Sequence, residues 1–165
     1  MDKQPAIELK NITKRFGTKV VANRNVNLTA YRGEILSVLG ENGSGKTTLM
    51  NMISGIYFPD EGQIFIDGQE AVITSPKDAF AYKIGMIHQH FKLVDVFSAA
   101  ENVILGIDEK CSIKEAEERI TDICRKYGFD IDPNQKVYEM SVSQKQTLEI
   151  IKVLYRGANI LILDE

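Results

Sequence analysis

Gly40-Glu41-Asn42-Gly43-Ser44-Gly45-Lys46-Thr47, followed by Thr48, is the stretch on which the reading of this 165-residue chain turns. It satisfies G-x-x-x-x-G-K-[ST] at every fixed position, the pattern of a loop that cradles phosphate. Its three glycines let the backbone curl with N–H groups facing inward, where side chains would block an anion. The loop then opens a helix, whose first amides and dipole add positive potential at the same place. Lys46 is placed to reach the β- and γ-phosphates of a nucleotide, and the Thr47 hydroxyl to ligate Mg²⁺. The flanks supply the setting. Ile35-Leu36-Ser37-Val38-Leu39 reads as a short buried strand, and Thr48 to Ser54 as a helix with Gly55 capping its end. The competing reading is a glycine-rich turn without a ligand, and the strand and helix on either side argue against it.

On the N-terminal side, Ala6 to Lys10 alternates apolar and polar residues, the pattern of a half-exposed strand. A turn at Phe16-Gly17-Thr18 leads to Val20-Val21 and the alternating run Val26 to Tyr31, and Arg32-Gly33 turns the chain toward the phosphate loop. Beyond the first helix, Pro59-Asp60-Glu61-Gly62 is a turn, Gln63 to Ile66 a strand and Asp67-Gly68 a tight-turn signal. These residues predict an antiparallel layer laid against the nucleotide strand. Ser75-Pro76-Lys77-Asp78 has the grammar of a helix start, with Ser as cap and Pro in the first turn. Ile84 to His88 is a strand ending at Gln89. From Lys92 to Met140 strand signals vanish. Ser98-Ala99-Ala100-Glu101 and Ser112-Ile113-Lys114-Glu115 are capping boxes. The second opens a helix with Ile113, Ala116, Ile120, Ile123, Cys124 and Tyr127 on one face, closed by Gly128. Ser141 to Arg156 is a further helix ended by Gly157, and Asn159 to Leu163 reads as a final buried strand.

Composition narrows the class. Apolar residues make up 44% and charged residues 26%, and the net charge is −3, so one globular domain with a sizeable core is expected and nothing basic points to nucleic acid. Cys111 and Cys124 lack C-x-x-C spacing and read as small hydrophobes in a reducing compartment. No apolar run approaches the ~20 residues of a membrane span. The expectation is a cytosolic chain whose membrane role, if it has one, needs a partner.

The final apolar strand runs into two carboxylates, Asp164 and Glu165. In a phosphate-loop protein an Asp in this place holds Mg²⁺. A Glu directly after it can orient and activate the attacking water. Lys46 and Asp164 are separated by a helical segment, unlike the arrangement in compact nucleotide kinases. In these motifs the chain resembles the ATP-binding subunits of ABC transporters over nearly its whole length. The resemblance is carried by the phosphate loop, the Gly85-to-Gly106 stretch around Gln89, the helix starting near Ser141 and the last strand. The wording Met86-Ile87-His88-Gln89-His90-Phe91-Lys92-Leu93-Val94 and Tyr155-Arg156-Gly157-Ala158-Asn159 is most similar to the nucleoside and simple-sugar uptake branch.

That resemblance implies a phosphate-loop α/β core with an N-terminal antiparallel β layer and an inserted helical subdomain. The implied division is a nucleotide-binding core with β layer over 1–91, a helical subdomain over 92–140, and signature helix with last strand over 141–165. It implies ATP and Mg²⁺ as cofactors. Gly40, Glu41, Asn42, Gly43, Ser44, Gly45, Lys46, Thr47 and Thr48 would hold the phosphates. Phe16 would stack on adenine, with a plain core Phe as the alternative. Thr47, Gln89 and Asp164 would ligate the metal, while Gln89, Glu165 and Lys46 would serve catalysis. Met140-Ser141-Val142-Ser143-Gln144 stands where the family has Leu-Ser-Gly-Gly-Gln. There Ser141, Ser143 and Gln144 would cap the γ-phosphate of ATP bound to the opposite subunit of a head-to-tail dimer. Val142 and Ser143 depart from the two glycines of that pattern. The chain ends before the strand and switch histidine that the family carries next, which implies an incomplete parallel sheet. The expected function is ATP hydrolysis energising an importer through transmembrane permease subunits, at the inner face of the cell membrane. The alternatives are a nucleotide-binding module with little or no hydrolysis, and a soluble ABC-type ATPase.

Overall fold

The computed structural model describes residues 4–88, 91–107 and 111–164. It divides into two compact units, Met1–Ile84 and Gly85–Glu165.

The first unit is built on a four-stranded antiparallel sheet. Its strands are β1 (Pro5–Phe16), β2 (Val20–Tyr31), β3 (Glu61–Ile66) and β4 (Gln69–Ala71), in the order β2-β1-β3-β4. Alternation in the sequence ends at Lys10, yet β1 continues six residues further. The reason is a register shift between Leu9 and Ile12 on one side of β1 and between Lys10 and Thr13 on the other. Asn11 lies there at φ 53°, with its N–H donating to Asn27 Oδ1 at 3.0 Å. A bulge inserts a residue, so the period of two breaks while the strand goes on. Asp67 and Gly68 both take positive φ, 51° and 79°, the requirement of a tight hairpin turn. They lead into β4, too short to leave a periodic signal.

Helix α1 (Lys46–Ile53) follows the glycine loop and buries Leu49, Met52 and Ile53. Gly55 follows its C-cap at φ 79°. Helix α2 (Pro76–Ala81) starts as expected, with Ser75 accepting from the Asp78 amide and Pro in the first turn. One expectation fails. Residues Ile35 to Leu39 form no strand, and Ile35 is 97% and Leu39 90% exposed. Among the described residues no strand runs beside them, so their backbone groups have no ladder to join.

All of β5 (Ile84–Ile87) but its first residue belongs to the second unit, and it pairs with β6 (Ile160–Leu163) in a two-stranded sheet. The unit also holds α3 (Ala99–Ile104), α4 (Ile113–Tyr127), a 3₁₀ turn at Val137–Glu139 and α5 (Val142–Tyr155), the three helices packing on one another. Both capping boxes form, at Ser98 with Glu101 and at Ser112 with Glu115. Gly128 closes α4 at φ 74°. Val103, Ile120, Val137, Leu148 and Ile151 form the centre of one apolar core. Ala116, Ile120 and Cys124 carry the buried face of α4, while Ile113 and Tyr127 at its two ends are half exposed. The expectation of a buried last strand is corrected. Only Ile162 of β6 is buried, with Leu161 and Leu163 exposed, because a two-stranded sheet leaves much of each strand uncovered. No helix among the described residues is long and apolar enough to cross a membrane.

Candidate functional site

The glycine loop is a curled segment held from within and from the side. Ser44 N–H donates to Glu41 O at 3.1 Å, closing a turn. Gly43 and Gly45 take φ 83° and 91°, values that side chains resist. Gly45 is further confined, since a Cβ there would stand 2.3 Å from the carbonyl oxygen of Ala22 on β2. Asn23, the next residue of β2, donates its amide to Gly45 O at 3.3 Å. Its Oδ1 is buried without a partner among the described residues, a cost accepted to hold the loop against the sheet.

Gly45 is also the N-cap of α1 and offers no side-chain bond to the first turn. At α3, α4 and α5 a serine oxygen occupies that position. No side chain at the N-cap therefore covers the start of α1, the place where the helix dipole is most positive. The Lys46 ammonium bends back onto the loop, donating to Gly40 O at 2.6 Å and Glu41 O at 2.9 Å. Two of the three ammonium donors are used in this way, which fixes the positive charge on the loop. Thr47 is exposed and Thr48 half-buried in the first turn of α1.

Phe16 ends β1 and is 39% exposed, so it is not the plain core Phe of the alternative reading. Its ring meets Tyr57 edge-to-face at 5.2 Å, and the Lys14 ammonium lies 5.7 Å from its centroid. Tyr57 was not expected from the sequence. The aromatic run Tyr57-Phe58 after Gly55 was the available signal.

In the second unit, Ser141 caps α5 and its hydroxyl accepts from the Gln144 amide at 3.2 Å. Gln144 Oε1 accepts in return from Ser141 N–H at 2.9 Å. Both side chains thus serve the helix start, an ordinary capping box. Val142 and Ser143 are exposed in the first turn. Asp164 is half-buried directly after β6, with its amide donating to Ile87 O at 3.2 Å. His88, at the end of β5, has its pKa lowered, mainly by burial and next by the Lys92 ammonium, with Glu149 and Asp164 opposing. Glu149 on α5 is another residue the sequence did not announce. It is buried, accepts from Lys92 N–H at 2.7 Å and pairs with Lys152, whose ammonium donates to Lys92 O at 2.9 Å. Gln89 and Glu165 lie outside the described residues. Among those that are described, no three His, Cys, Asp or Glu side chains gather as a metal cluster.

Residues 23–165 match the family model described as ABC transporter. The chain is 45% identical over 169 residues to the nucleoside import ATP-binding protein NupA of Lactococcus lactis, covering 100% of itself and 33% of that relative. It is 48% identical over 163 residues to the guanosine import ATP-binding protein NupO of Bacillus subtilis, covering 96% of itself and 32% of NupO. The chain thus spans about a third of the length of the curated relatives it matches. Among solved structures it resembles cbiO1 from Clostridium perfringens, part of the ABC transporter complex cbiONQ. The TM-score there is 0.83 at 26% identity, covering 99% of this chain and 66% of the other. The dimeric post-hydrolysis ATP-binding cassette MJ0796, bound to ADP and Pi, matches with a TM-score of 0.76 at 28% identity, covering 96% of this chain and 73% of that one.

Proposed function

The chain belongs to the ABC transporter family, and from that premise we propose that it binds and hydrolyses ATP to energise import of nucleosides or simple sugars. Its partners would be transmembrane permease subunits and a second ATP-binding domain, the pair working head-to-tail at the inner face of the cell membrane. The observation that carries the reading is the curled loop against β2. It brings the start of α1, with no side chain bonded at its N-cap, together with the Lys46 ammonium on the loop carbonyls. That arrangement suits an anion with several oxygens.

In hydrolysis Lys46 and the loop amides would offset charge developing on the phosphoryl oxygens, and Glu165 would polarise the water for in-line attack. The Thr47 hydroxyl, the Gln89 amide oxygen and the Asp164 carboxylate are hard oxygen donors, the set that suits Mg²⁺. Bound there, the metal would neutralise charge on the β- and γ-oxygens. Gln89 would hold the attacking water in line.

A second reading, nucleotide binding with little hydrolysis, is favoured by the start of α5. Ser141 and Gln144 are engaged with each other, and Val142, 66% exposed, stands where the family has glycine. A Mg-ATP binding isotherm on the chain with Lys46→Ala alongside tests the site. Binding lost in the variant supports it, and equal affinity sinks it. Turnover by Glu165→Gln then separates the two readings of activity. Hydrolysis by the parent chain that disappears in this variant supports the ATPase, and none in either supports the binding module.

A further inference from the structure

The Phe16 ring is held by more than its place at the end of β1. Residues 13–15 and the turn after α1 are joined at several points. Asp60 N–H donates to Thr13 O at 2.9 Å. The Asp60 carboxylate accepts from Arg15 N–H at 2.6 Å and from the Lys14 ammonium at 3.0 Å. Lys14 also donates to Phe58 O at 2.7 Å. These donors hold the Asp60 carboxyl below the usual carboxylate range, the Arg15 N–H first among them. At the other end of the turn, Ile56 and Tyr57 N–H both donate to Asn51 O in the last turns of α1, at 2.8 and 3.1 Å. Tyr57 therefore joins the helix that starts at Lys46 to the ring of Phe16, against which it stands edge-on at an interplanar angle of 73°.

Both rings are more than a third exposed, at 39% for Phe16 and 37% for Tyr57. Two aromatic rings kept that open while in edge-to-face contact define a platform rather than a core pair. A lone exposed Phe would sample several rotamers, and a partner ring locked to a helix end removes that freedom. Helix α1 is eight residues long, about 12 Å at the usual rise. It thus fixes the span between phosphate loop and platform.

We infer that Tyr57 is a positioning residue for a planar nucleobase, setting the plane of Phe16, with Asp60 pinning the turn that carries it. The inference rests on the reading of Phe16 as the base-stacking aromatic. It assigns base recognition to Gly55–Asp60 as well as to β1.

The test compares affinities for ATP and for inorganic tripolyphosphate, which has the phosphates and no base. Chains carrying Phe16→Ala, Tyr57→Ala, Tyr57→Phe and Asp60→Asn are measured beside the parent. Phe16→Ala should weaken ATP on the order of tenfold, the usual worth of one base–aromatic stack. Tyr57→Ala should weaken ATP by about two- to tenfold, the worth of an aromatic pair. Asp60→Asn should move ATP in the same direction by less, and Tyr57→Phe should bind like the parent because its ring remains. Tripolyphosphate affinity should stay constant throughout. If Phe16→Ala changes the ATP ratio and Tyr57→Ala does not, the inference fails while the reading of Phe16 survives. If Phe16→Ala leaves the ratio unchanged, that reading fails and the inference with it. Equal loss of both ligands in Tyr57→Ala would show a structural role only and overturn positioning.

Discussion

Ile35-Leu36-Ser37-Val38-Leu39 and Ile160-Leu161-Ile162-Leu163 are apolar runs of closely similar make-up, and each leads directly into residues with chemistry to perform. One becomes a strand and the other does not. Ile160–Leu163 finds an edge in β5, and Asp164 extends the pairing by one bond to Ile87 O. Ile35 to Leu39 has no strand beside it among the described residues and exposes Ile35, Leu36 and Leu39. Apolar residues state a preference for burial, whereas a strand also needs a neighbour whose backbone is unsatisfied. The edge itself depends on a small residue. A Cβ at Gly85 of β5 would meet Val153 Cβ at 2.8 Å and Ala158 Cβ at 3.0 Å, so a side chain there would push β5 from α5.

The sharpest way to break this comparison is at the loop. If its shape came from the run before it, changes among residues 35–39 would spoil it; if it is held by β2, a change at Gly45 would. Gly45→Ala combines a φ of 91° with a Cβ 2.3 Å from Ala22 O. It should cost ATP affinity on the order of a hundredfold, from strain of a few kcal/mol and a displaced loop. Gly43→Ala, at φ 83° with nothing within 4 Å of its Cβ, should cost only about fivefold in ATP affinity, about 1 kcal/mol of backbone strain. Titration calorimetry with Mg-ATP checks the pair. Equal losses from both would mean that backbone strain alone, not contact with β2, shapes the loop.

The paired run supplies the next largest effect. Ile162 is the buried residue of β6, and Ile162→Ala should cost about 2–4 kcal/mol in urea unfolding, the range for core truncations. Its amide should also be among the slower to exchange with solvent, against fast exchange over residues 36–39.

Much of the fold was legible because its signals are local. Serines three residues before Glu101 and Glu115 announced two helix starts, and both form complete capping boxes. Gly128 announced an end. The conformation of the glycine loop was legible for the same reason, since positive φ at Gly43 and Gly45 needs glycine whatever surrounds it. What was not legible is what distant residues decide. Asn23 beside Gly45, Tyr57 beside Phe16 and Glu149 beneath Lys92 are separated in sequence by 22, 41 and 57 positions. No period or motif joins them. The bulge at Asn11 hid half of β1 for a related reason, because alternation is a property of regular pairing. Residue types at the start of α5 pointed to an anion site, and the capping box there was not read from them. The Ser141 and Gln144 bonds add a capping role that those residue types alone did not announce.

Ser141 separates those two roles. Ser141→Ala removes the acceptor for the Gln144 amide and should destabilise the second unit by about 1 kcal/mol, the common cost of a lost helix cap. Ser141→Asn, an equally good cap, should restore stability. If restored stability comes with ATP turnover still reduced, the hydroxyl has a role beyond the cap.

The smallest expected effect is the most informative about the opening contrast. Ile35 is 97% exposed, so Ile35→Lys removes almost no buried area and places a charge in water. Stability should change by less than about 0.5 kcal/mol, as at ordinary surface positions. Exposed apolar side chains in a strandless run are also poor barriers to self-association. The same substitution should therefore lower any concentration dependence of light scattering. A destabilisation approaching that of Ile162→Ala would mean that residue 35 is covered in solution. The two apolar runs would then differ in which surface covers them, and no longer in whether one does.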